Sequence, residues 1–120
     1  MQENTIKYKT FQFSLEVIKL YKRLLETKEF VLSKQLLRSG TAIGALVREA
    51  EYAESKLDFI HKMAISLKEA NETGYWLELL YQSDYIEKSS FETLLSSAEE
   101  IIKILTAIIN TSKLNLKKSN

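Results

Sequence analysis

Residues 35–50 of this 120-residue chain read Gln-Leu-Leu-Arg-Ser-Gly-Thr-Ala-Ile-Gly-Ala-Leu-Val-Arg-Glu-Ala. Apolar and small residues recur here at the spacing of one α-helical face. Gly40 and Gly44 lie about one turn apart on that helix, where each glycine costs about 1 kcal/mol relative to alanine. This cost predicts a compensating close approach of another helix, either inside a bundle or between subunits. A ligand cleft is the alternative.

The composition of the whole chain favours long helices in a single domain. There is no proline, and there are three glycines, so helix breakers and turn residues are scarce. A chain of 120 residues that is 45% hydrophobic suits one core. The absence of cysteine excludes a disulfide framework and a thiolate metal site, and it is compatible with a reducing compartment.

Positive and negative side chains are almost balanced. Seventeen Lys and Arg residues face sixteen Asp and Glu residues, which gives a formal net charge of +1 and not the positive excess of a dedicated nucleic-acid binder. The clear local excess lies in residues 1–28, with six basic and three acidic side chains. Nucleic-acid binding would therefore rest on a local patch, for which the candidates are Lys7, Lys9, Lys19, Lys22 and Arg23.

Nothing in the sequence predicts a membrane protein. No run approaches the 18 apolar residues of a membrane span, and the first residues lack the basic region and apolar core of a signal peptide. We therefore expect a cytoplasmic protein with no membrane partner.

Apolar periodicity predicts four helices, spanning roughly residues 9–27, 30–54, 56–82 and 90–112. In the first helix the predicted inward face consists of Phe11, Leu15, Ile18, Tyr21 and Leu25, joined by Val17 and Leu24. Residues 113–120 have little to bury and are predicted to fray. Because short connections make sequential helices antiparallel, we predict an all-α, up-down-up-down four-helix bundle that forms one domain over residues 1–120.

Two serines carry the signature of a helix start. Ser55 precedes Asp58 by three residues, and Ser89 precedes Glu92 by the same distance, which is the spacing of a capping box. Ser55 and Ser89 are therefore predicted to begin the third and fourth helices.

A cluster of charges lies within two turns of the predicted third helix. Lys68 and Glu72 are four residues apart, and Glu69 and Glu72 are three apart, so the side chains share one region of the helix surface. This region is either an ordinary solvated face or a polar network that reaches Arg38 or Arg48 of the second helix, since arginine can donate two hydrogen bonds to a carboxylate. We predict the network, formed by Arg38, Glu49, Lys68, Glu69 and Glu72.

Aromatic residues concentrate towards the end of the third helix, at Tyr75, Trp76, Tyr81 and Tyr85. They either fill the core with their polar tips in water, or they form an interface anchor or a stacking platform for bases. The balanced net charge favours the interface over the platform. Tyr75 and Trp76 are the predicted apolar anchors of a subunit interface that also uses the small residues Ser39, Gly40 and Gly44.

The sequence contains no recognisable catalytic constellation. A di-iron bundle needs two Glu-x-x-His units, whereas His61 is the one histidine of the chain and has Asp58 at the corresponding position. No Gly-x-Ser-x-Gly elbow and no glycine-rich phosphate loop occurs. We expect a protein that is not an enzyme and needs no metal or cofactor, with His61 at the surface or at an interface.

Four blocks of the sequence resemble one known family. They are residues 35–45, Glu49-Ala50, the run Ser-Lys-x-Asp-Phe-Ile at 55–60, and the run Leu-Lys-Glu-Ala-x-Glu-Thr-x-Tyr-Trp-Leu at 67–77. In this order they are similar to the four-helix-bundle proteins named after the 23S ribosomal RNA intervening sequence, and the resemblance covers residues 10–110. It implies a left-handed up-down bundle, assembly as a homopentamer with a central channel, no enzymatic activity, and a presumed role in RNA binding.

Two positions depart from the family pattern. Leu46 stands where asparagine is usual, and Ala42 stands where serine is frequent. An apolar side chain cannot make the hydrogen bonds of an amide, so this part of the second helix is predicted to pack and not to recognise a ligand. A more distant resemblance, of fold only, links the chain to the accessory protein of diversity-generating retroelements, a pentameric helical bundle that binds reverse transcriptase and nucleic acid.

These observations lead to one prediction about assembly and two about function. We predict a homo-oligomer, a ring of five, joined through surfaces of the second and third helices. The first function is an RNA-associated accessory protein that uses the basic side of the first helix, multiplied around the ring, with RNA or a nucleic-acid-processing protein as its partner. The alternative is a protein-interaction scaffold that docks a partner helix at the aromatic end of the third helix, without nucleic acid.

Overall fold

The computed structural model describes the backbone of residues 2–119 and the side chains of residues 5–118. The described residues form no strand and four α-helices: α1 (Gln2–Glu26), α2 (Leu32–Glu51), α3 (Lys56–Gln82) and α4 (Lys88–Ser119). α1 packs against α2 and α4, and α3 packs against the same two helices, in a bundle 54 Å long. The predicted all-α four-helix bundle is confirmed.

The hydrophobic core lies where all four helices meet. Its largest fully buried apolar side chains are Ile6, Val17, Leu24, Leu36, Ile43, Val47, Met63, Leu77, Leu80, Ile101 and Leu105. Among the described residues, every buried side-chain nitrogen or oxygen has a hydrogen-bond partner, as a stable core requires. None of the described helices combines the length and apolar character needed to cross a lipid bilayer.

The face of α1 that turns inward differs from the prediction. Phe11 and Leu15, from the predicted inward face, are 47% and 39% exposed. Val17 and Leu24, which the prediction included, are buried, and they share the buried face with Ile6, Phe13 and Leu20, which it did not include. Both faces of α1 carry apolar side chains, so periodicity alone could not choose between them. The choice is made by the contact with α2.

α1 lies directly against the small-residue strip of α2. A Cβ atom built on Gly40 would lie 2.9 Å from both γ-carbons of Val17, and one built on Gly44 would lie 3.3 Å from Oγ1 of Thr10. The side chain of Val17 therefore occupies the space that any side chain at Gly40 would need. The close approach that the sequence predicts is made inside the bundle, by α1: Gly40 is buried against Val17, and Gly44 is partly buried against Thr10.

α3 begins and ends where the sequence predicts. Oγ of Ser55 accepts a hydrogen bond of 3.0 Å from the backbone N–H of Asp58, and Oδ2 of Asp58 accepts one of 3.1 Å from the backbone N–H of Glu54. The arrangement follows a capping box, with an aspartate in the place of the usual glutamate, except that Asp58 accepts from the residue before the cap and not from the cap itself. The predicted cap at Ser55 is confirmed.

α4 begins earlier than predicted, because the chain turns quickly after α3. Asp84 adopts a left-handed conformation, with φ of 65°, and the backbone N–H of Tyr85 donates a hydrogen bond of 2.9 Å to the carbonyl of Leu80. This arrangement closes the end of a helix and reverses the chain. α4 therefore starts at Lys88, and Ser89 lies inside its first turn and does not cap it.

Both termini are more helical than predicted. α1 extends back to Gln2 and buries Ile6 completely. α4 continues to Ser119, so residues 113–119 are helical where fraying was predicted, and residue 120 lies outside the described residues. Leu116 packs against the core, which the sequence analysis overlooked.

A buried carboxylate explains where α2 begins. Oε1 of Glu29 accepts a hydrogen bond of 2.9 Å from the N–H of Leu32, and Oε2 accepts one of 2.7 Å from the N–H of Ser33. Lys28, with φ of 65°, turns the chain so that Glu29 reaches these groups. α2 thus starts at Leu32, two residues after the predicted start. Glu29 was overlooked in the sequence because it lies in a connection.

The hydrogen bonds to Glu29 control its ionisation. Burial of the carboxyl raises its pKa, but the hydrogen bonds from Ser33, Leu32 and Val31 outweigh burial, so the pKa of Glu29 is lowered from its usual value of 4.5. The folded protein therefore favours the ionised carboxylate more than the unfolded chain does.

Gly40→Ala should destabilise the protein, because the new methyl group meets the fully buried Val17 and the core must shift. We expect the free energy of unfolding to fall by about 1–3 kcal/mol, measured by urea denaturation. Gly74→Ala is the matched control, since a Cβ there meets Leu95 at an ordinary 3.8 Å. The control should raise stability by up to about 1 kcal/mol through helix propensity. Equal effects of the two changes would contradict the close contact.

Glu29→Gln should alter the pH dependence of stability. Because the folded pKa is lowered, the contribution of Glu29 is fully present above the unfolded pKa of 4.5 and is lost as the pH falls through the folded value. At neutral pH the variant should be less stable by about 1 kcal/mol, the effect of losing a helix cap. Denaturation from pH 7 to pH 3 should show this difference shrinking with acidity, and a constant difference would refute the role of the charge.

Candidate functional site

A charged network joins α2 to α3 on the outside of the bundle. Nη1 of Arg38 lies 3.1 Å and 3.3 Å from the two carboxylate oxygens of Glu69, and Nη2 of Arg38 donates to Oε2 of Glu72. The indole N–H of Trp76 donates a hydrogen bond of 2.9 Å to the same oxygen of Glu72. One guanidinium therefore bridges two carboxylates one turn apart, and the second carboxylate also holds the indole.

The network keeps its charges. The hydrogen bond from Trp76 lowers the pKa of Glu72, and burial opposes this effect. The hydrogen bond and charge of Arg38, together with the charge of Lys68, lower the pKa of Glu72 further. The hydrogen bond to Glu72 raises the pKa of Arg38, and Glu69 adds to that effect against the opposing influence of burial. Glu72 is thus ionised near neutral pH and suited to holding Arg38 in one orientation.

The structure leaves Glu49 outside this network. Its carboxylate lies 3.2 Å from Nζ of Lys62, in a separate ion pair between α2 and α3. Lys68 is exposed and acts on Glu72 through its charge. Arg48 lies over the ring of Phe11, 5.3 Å from its centroid, and so interacts with α1. Of the two arginines considered from the sequence, Arg38 is the one that joins the carboxylates of α3.

Two buried hydroxyl contacts lie beneath the charged network. Oγ1 of Thr73 lies 3.0 Å from Oγ of Ser39, and Oγ of Ser66 donates a hydrogen bond of 2.9 Å to the backbone carbonyl of Ile43. All three hydroxyl residues are fully buried. Ser39 thus faces α3 inside the bundle and not a subunit interface. Ser66 and Thr73 were missed in the sequence, although their helical spacing with Ala70 marks one inward face.

The aromatic residues of α3 divide between the surface and the core. Tyr75 is 56% exposed and meets the ring of Trp76 edge-on, with the centroids 5.0 Å apart. Tyr81 stacks on Phe91 of α4 with the centroids 4.5 Å apart and so helps to close the bundle. Tyr85 lies in the α3–α4 connection and is 46% exposed. Tyr75 and Tyr85 therefore offer exposed rings, whereas Tyr81 is a packing residue.

The five basic candidates of α1 separate into two groups. Lys7 pairs with Glu51 of α2 at 3.0 Å, and Lys9 pairs with Glu100 of α4 at 3.1 Å. These two lysines tie α1 to its neighbours. The other group consists of Lys19, Lys22 and Arg23, which line a groove of about 510 Å³ between α1 and α4.

The basic groove has hydroxyl groups on its opposite wall. Ser89, Ser90 and Thr93 of α4 line it, and a guanidinium nitrogen of Arg23 lies 3.4 Å from Oγ of Ser90. Glu16 contributes the one carboxylate of the lining and pairs with Lys19 at 3.3 Å. Both partners of that pair are more than half exposed, so the pairing is weak. The lining carries three positive charges against one negative charge.

Asp58 and His61 do not form a joint site. Asp58 caps α3, as described above, and His61 is exposed. Within the part of the chain that the structure describes, no three His, Cys, Asp or Glu side chains are grouped so that they could hold a metal ion.

Comparisons with known proteins agree with the architecture. The family model of the 23S rRNA-intervening sequence protein matches residues 2–107. Among solved structures, the chain is similar to a protein of unknown function from the S23 ribosomal protein family of Bacteroides thetaiotaomicron VPI-5482, with 52% sequence identity and a TM-score of 0.90. That match covers 92% of this chain and 99% of the other. The comparison with curated proteins finds no match. The chain thus belongs to the 23S rRNA-intervening sequence protein family.

Proposed function

We propose that this chain is a non-enzymatic, self-associating accessory protein of the cytoplasm that associates with RNA. The observation that carries the proposal is the grouping of Lys19, Lys22 and Arg23 in one groove with a single carboxylate. A protein with a net charge of +1 can bind a polyanion only where its cations are concentrated, because the phosphate backbone dominates the affinity. The family membership supports RNA as the polyanion.

Self-association would strengthen a site that is weak in one copy. A few exposed cations give modest affinity, but copies held in a ring present the same groove several times to one RNA molecule. Each further contact is then intramolecular, and the overall affinity can rise by about 10²–10⁴ without any new kind of contact. The proposed ring of five would therefore turn a small local charge excess into a multivalent one.

The α2–α3 face supports the proposed interface between subunits. Arg38 is half exposed, and its guanidinium is held in place by Glu69 and Glu72. The ring of Tyr75 lies edge-on against Trp76, which in turn donates a hydrogen bond to Glu72. Arginine, tyrosine and tryptophan dominate the binding energy of interfaces, and side chains that are already ordered lose little entropy on association. Ser39 and Gly40 are buried inside the bundle and do not reach this surface, whereas Gly44 is partly buried on the side of α2 that faces α1.

The protein should bind a labelled RNA hairpin with an affinity that falls steeply between about 50 and 200 mM salt. Changing all five candidates, Lys7, Lys9, Lys19, Lys22 and Arg23, to glutamine should abolish this binding. Fluorescence anisotropy measures both effects, and circular dichroism checks that the variant is folded.

A matched control removes the same charge elsewhere. Glutamine at five exposed lysines outside the first helix should leave most of the binding intact: Lys34, Lys103, Lys113, Lys117 and Lys118. Absence of RNA binding by the wild-type protein at the lowest salt would refute the RNA role. The scaffold alternative would then be favoured, in which Tyr75 docks a partner protein.

Native mass spectrometry of the wild-type protein should show a species of about 70 kDa, which is five times the 13.9 kDa of one chain. Tyr75→Glu should shift the distribution towards the monomer, because a charge at an interface anchor costs desolvation energy. Leu15→Glu, at an exposed position on α1, is the control and should leave the assembly unchanged. A wild-type monomer at micromolar concentration would contradict self-association, and dissociation by Leu15→Glu alone would move the interface to α1.

A further inference from the structure

A second cavity adjoins the groove between α1 and α4. The two spaces share Arg23 and Ser90 in their linings, and the second, of about 180 Å³, reaches Tyr85 at the α3–α4 connection. The two adjacent spaces, which we call the channel, lie near the end of the bundle where α1 ends and α4 begins. Lys19 and Lys22 lie on one side of this channel, and the ring of Tyr85 lies on the other.

The charge of the channel changes along its length. On the lysine side, Lys19, Lys22 and Arg23 outweigh Glu16. On the tyrosine side, Glu87 lines the cavity together with Tyr85 and Arg23, so its negative charge offsets the positive charge of Arg23 there. An anionic group is therefore favoured on the lysine side, and an uncharged group is favoured against Tyr85.

Tyr85 is held in place by the backbone although its ring is accessible. Its N–H donates to the carbonyl of Leu80, and the preceding Asp84 fixes the turn in a left-handed conformation. Ile86, the next residue, is buried in the core. The backbone at Tyr85 is thus fixed, and with 46% of the residue exposed its ring is available to stack on another flat ring.

We propose that this channel binds an unpaired segment of RNA, with backbone phosphates against Lys19, Lys22 and Arg23 and a base stacked on Tyr85. The proposal rests on the RNA association proposed above and specifies which part of the RNA is bound. Ammonium, guanidinium and hydroxyl groups all donate to phosphate oxygens, and the channel presents all three. A positively charged groove with an aromatic platform is the arrangement that recognises single strands.

Duplex RNA does not fit the same arrangement. The bases of a duplex are stacked on one another, so their faces cannot reach Tyr85, and proteins bind duplexes through shape and backbone contacts. The main groove, at about 510 Å³, has the size of a small-molecule pocket, in the range of about 300–1,000 Å³. It is therefore large enough to hold part of a single strand.

Two variants of the full-length protein test the two sides of the channel, with a labelled single-stranded octamer as the probe. The triple variant Lys19→Gln, Lys22→Gln, Arg23→Gln should weaken binding about 10- to 100-fold at low salt and reduce the salt dependence. Tyr85→Leu should weaken binding about 5-fold or more and leave the salt dependence unchanged, because stacking removes no charge. The octamer annealed to its complement should bind less tightly than the single strand.

Each variant has a control at a similar kind of position outside the channel. The triple variant Lys34→Gln, Lys103→Gln, Lys113→Gln removes the same charge from exposed sites, and Tyr52→Leu removes an exposed ring at the end of α2. Both controls should bind the octamer within about twofold of the wild-type affinity, since neither touches the channel. Inorganic phosphate, added at constant ionic strength, should compete weakly because it lacks a base.

The outcomes separate this inference from the function on which it rests. If wild-type protein binds no RNA of either form, both are overturned. If it binds RNA but the two charge triples weaken binding equally and Tyr85→Leu has no effect, the channel is overturned and the RNA association stands. Tighter binding of the duplex than of the octamer, or displacement of the octamer by micromolar phosphate, also overturns the proposal.

Discussion

The contact between Val17 and Gly40 determines how the rest of the molecule is arranged. With no side chain on Gly40, α2 approaches α1 so closely that a Cβ atom at this position would lie 2.9 Å from both γ-carbons of Val17. This contact sets the rotation of α1 about its axis. It turns Phe11 outwards, where its ring meets Arg48 of α2, and it turns the basic residues of the last turns towards α4. The side chains that α1 exposes therefore follow from two residues of its buried face, Val17 and Thr10, which pack against Gly40 and Gly44.

The α2–α3 pair is held by polar contacts at two depths. Ser39 and Thr73 meet in the core, and the carbonyl of Ile43 accepts from Ser66. A buried hydroxyl without a partner is costly, so these contacts penalise any sliding of one helix along the other. At the surface, Arg38 spans two successive carboxylates of α3, which adds a second constraint on the same register. Apolar side chains alone would tolerate a shifted alignment more easily.

The sequence was a good guide where the deciding interactions are local. Ser55 and Asp58 are three residues apart, so the start of α3 could be predicted from the capping pattern alone. The pairing of Arg38 with carboxylates of α3 followed from the helical spacing of Glu69 and Glu72 and from the affinity of guanidinium for carboxylates. These interactions depend on residue types and distances that the chain order displays directly.

Other features depended on contacts between distant parts of the chain. The inward face of α1 could not be chosen from periodicity, because it depends on which side chains fit the strip around Gly40. The role of Glu29 as a helix cap requires the left-handed conformation of Lys28. A glycine at this position would have indicated such a turn in the sequence, but a lysine does not. The grouping of Arg23 with Ser90 and Tyr85 joins positions more than sixty residues apart, and no local pattern indicates it.

The packing of α1 against α4 has a consequence for how the bundle opens. The other neighbouring helices are joined by short connections, whereas this seam unites the two ends of the chain, as the contact of Lys9 with Glu100 shows. Closing a longer loop costs more chain entropy. Exposed ion pairs contribute little stability to offset this cost. Partial unfolding should therefore begin by parting the first and last helices, and any molecule that spans this seam would protect the protein against that fluctuation.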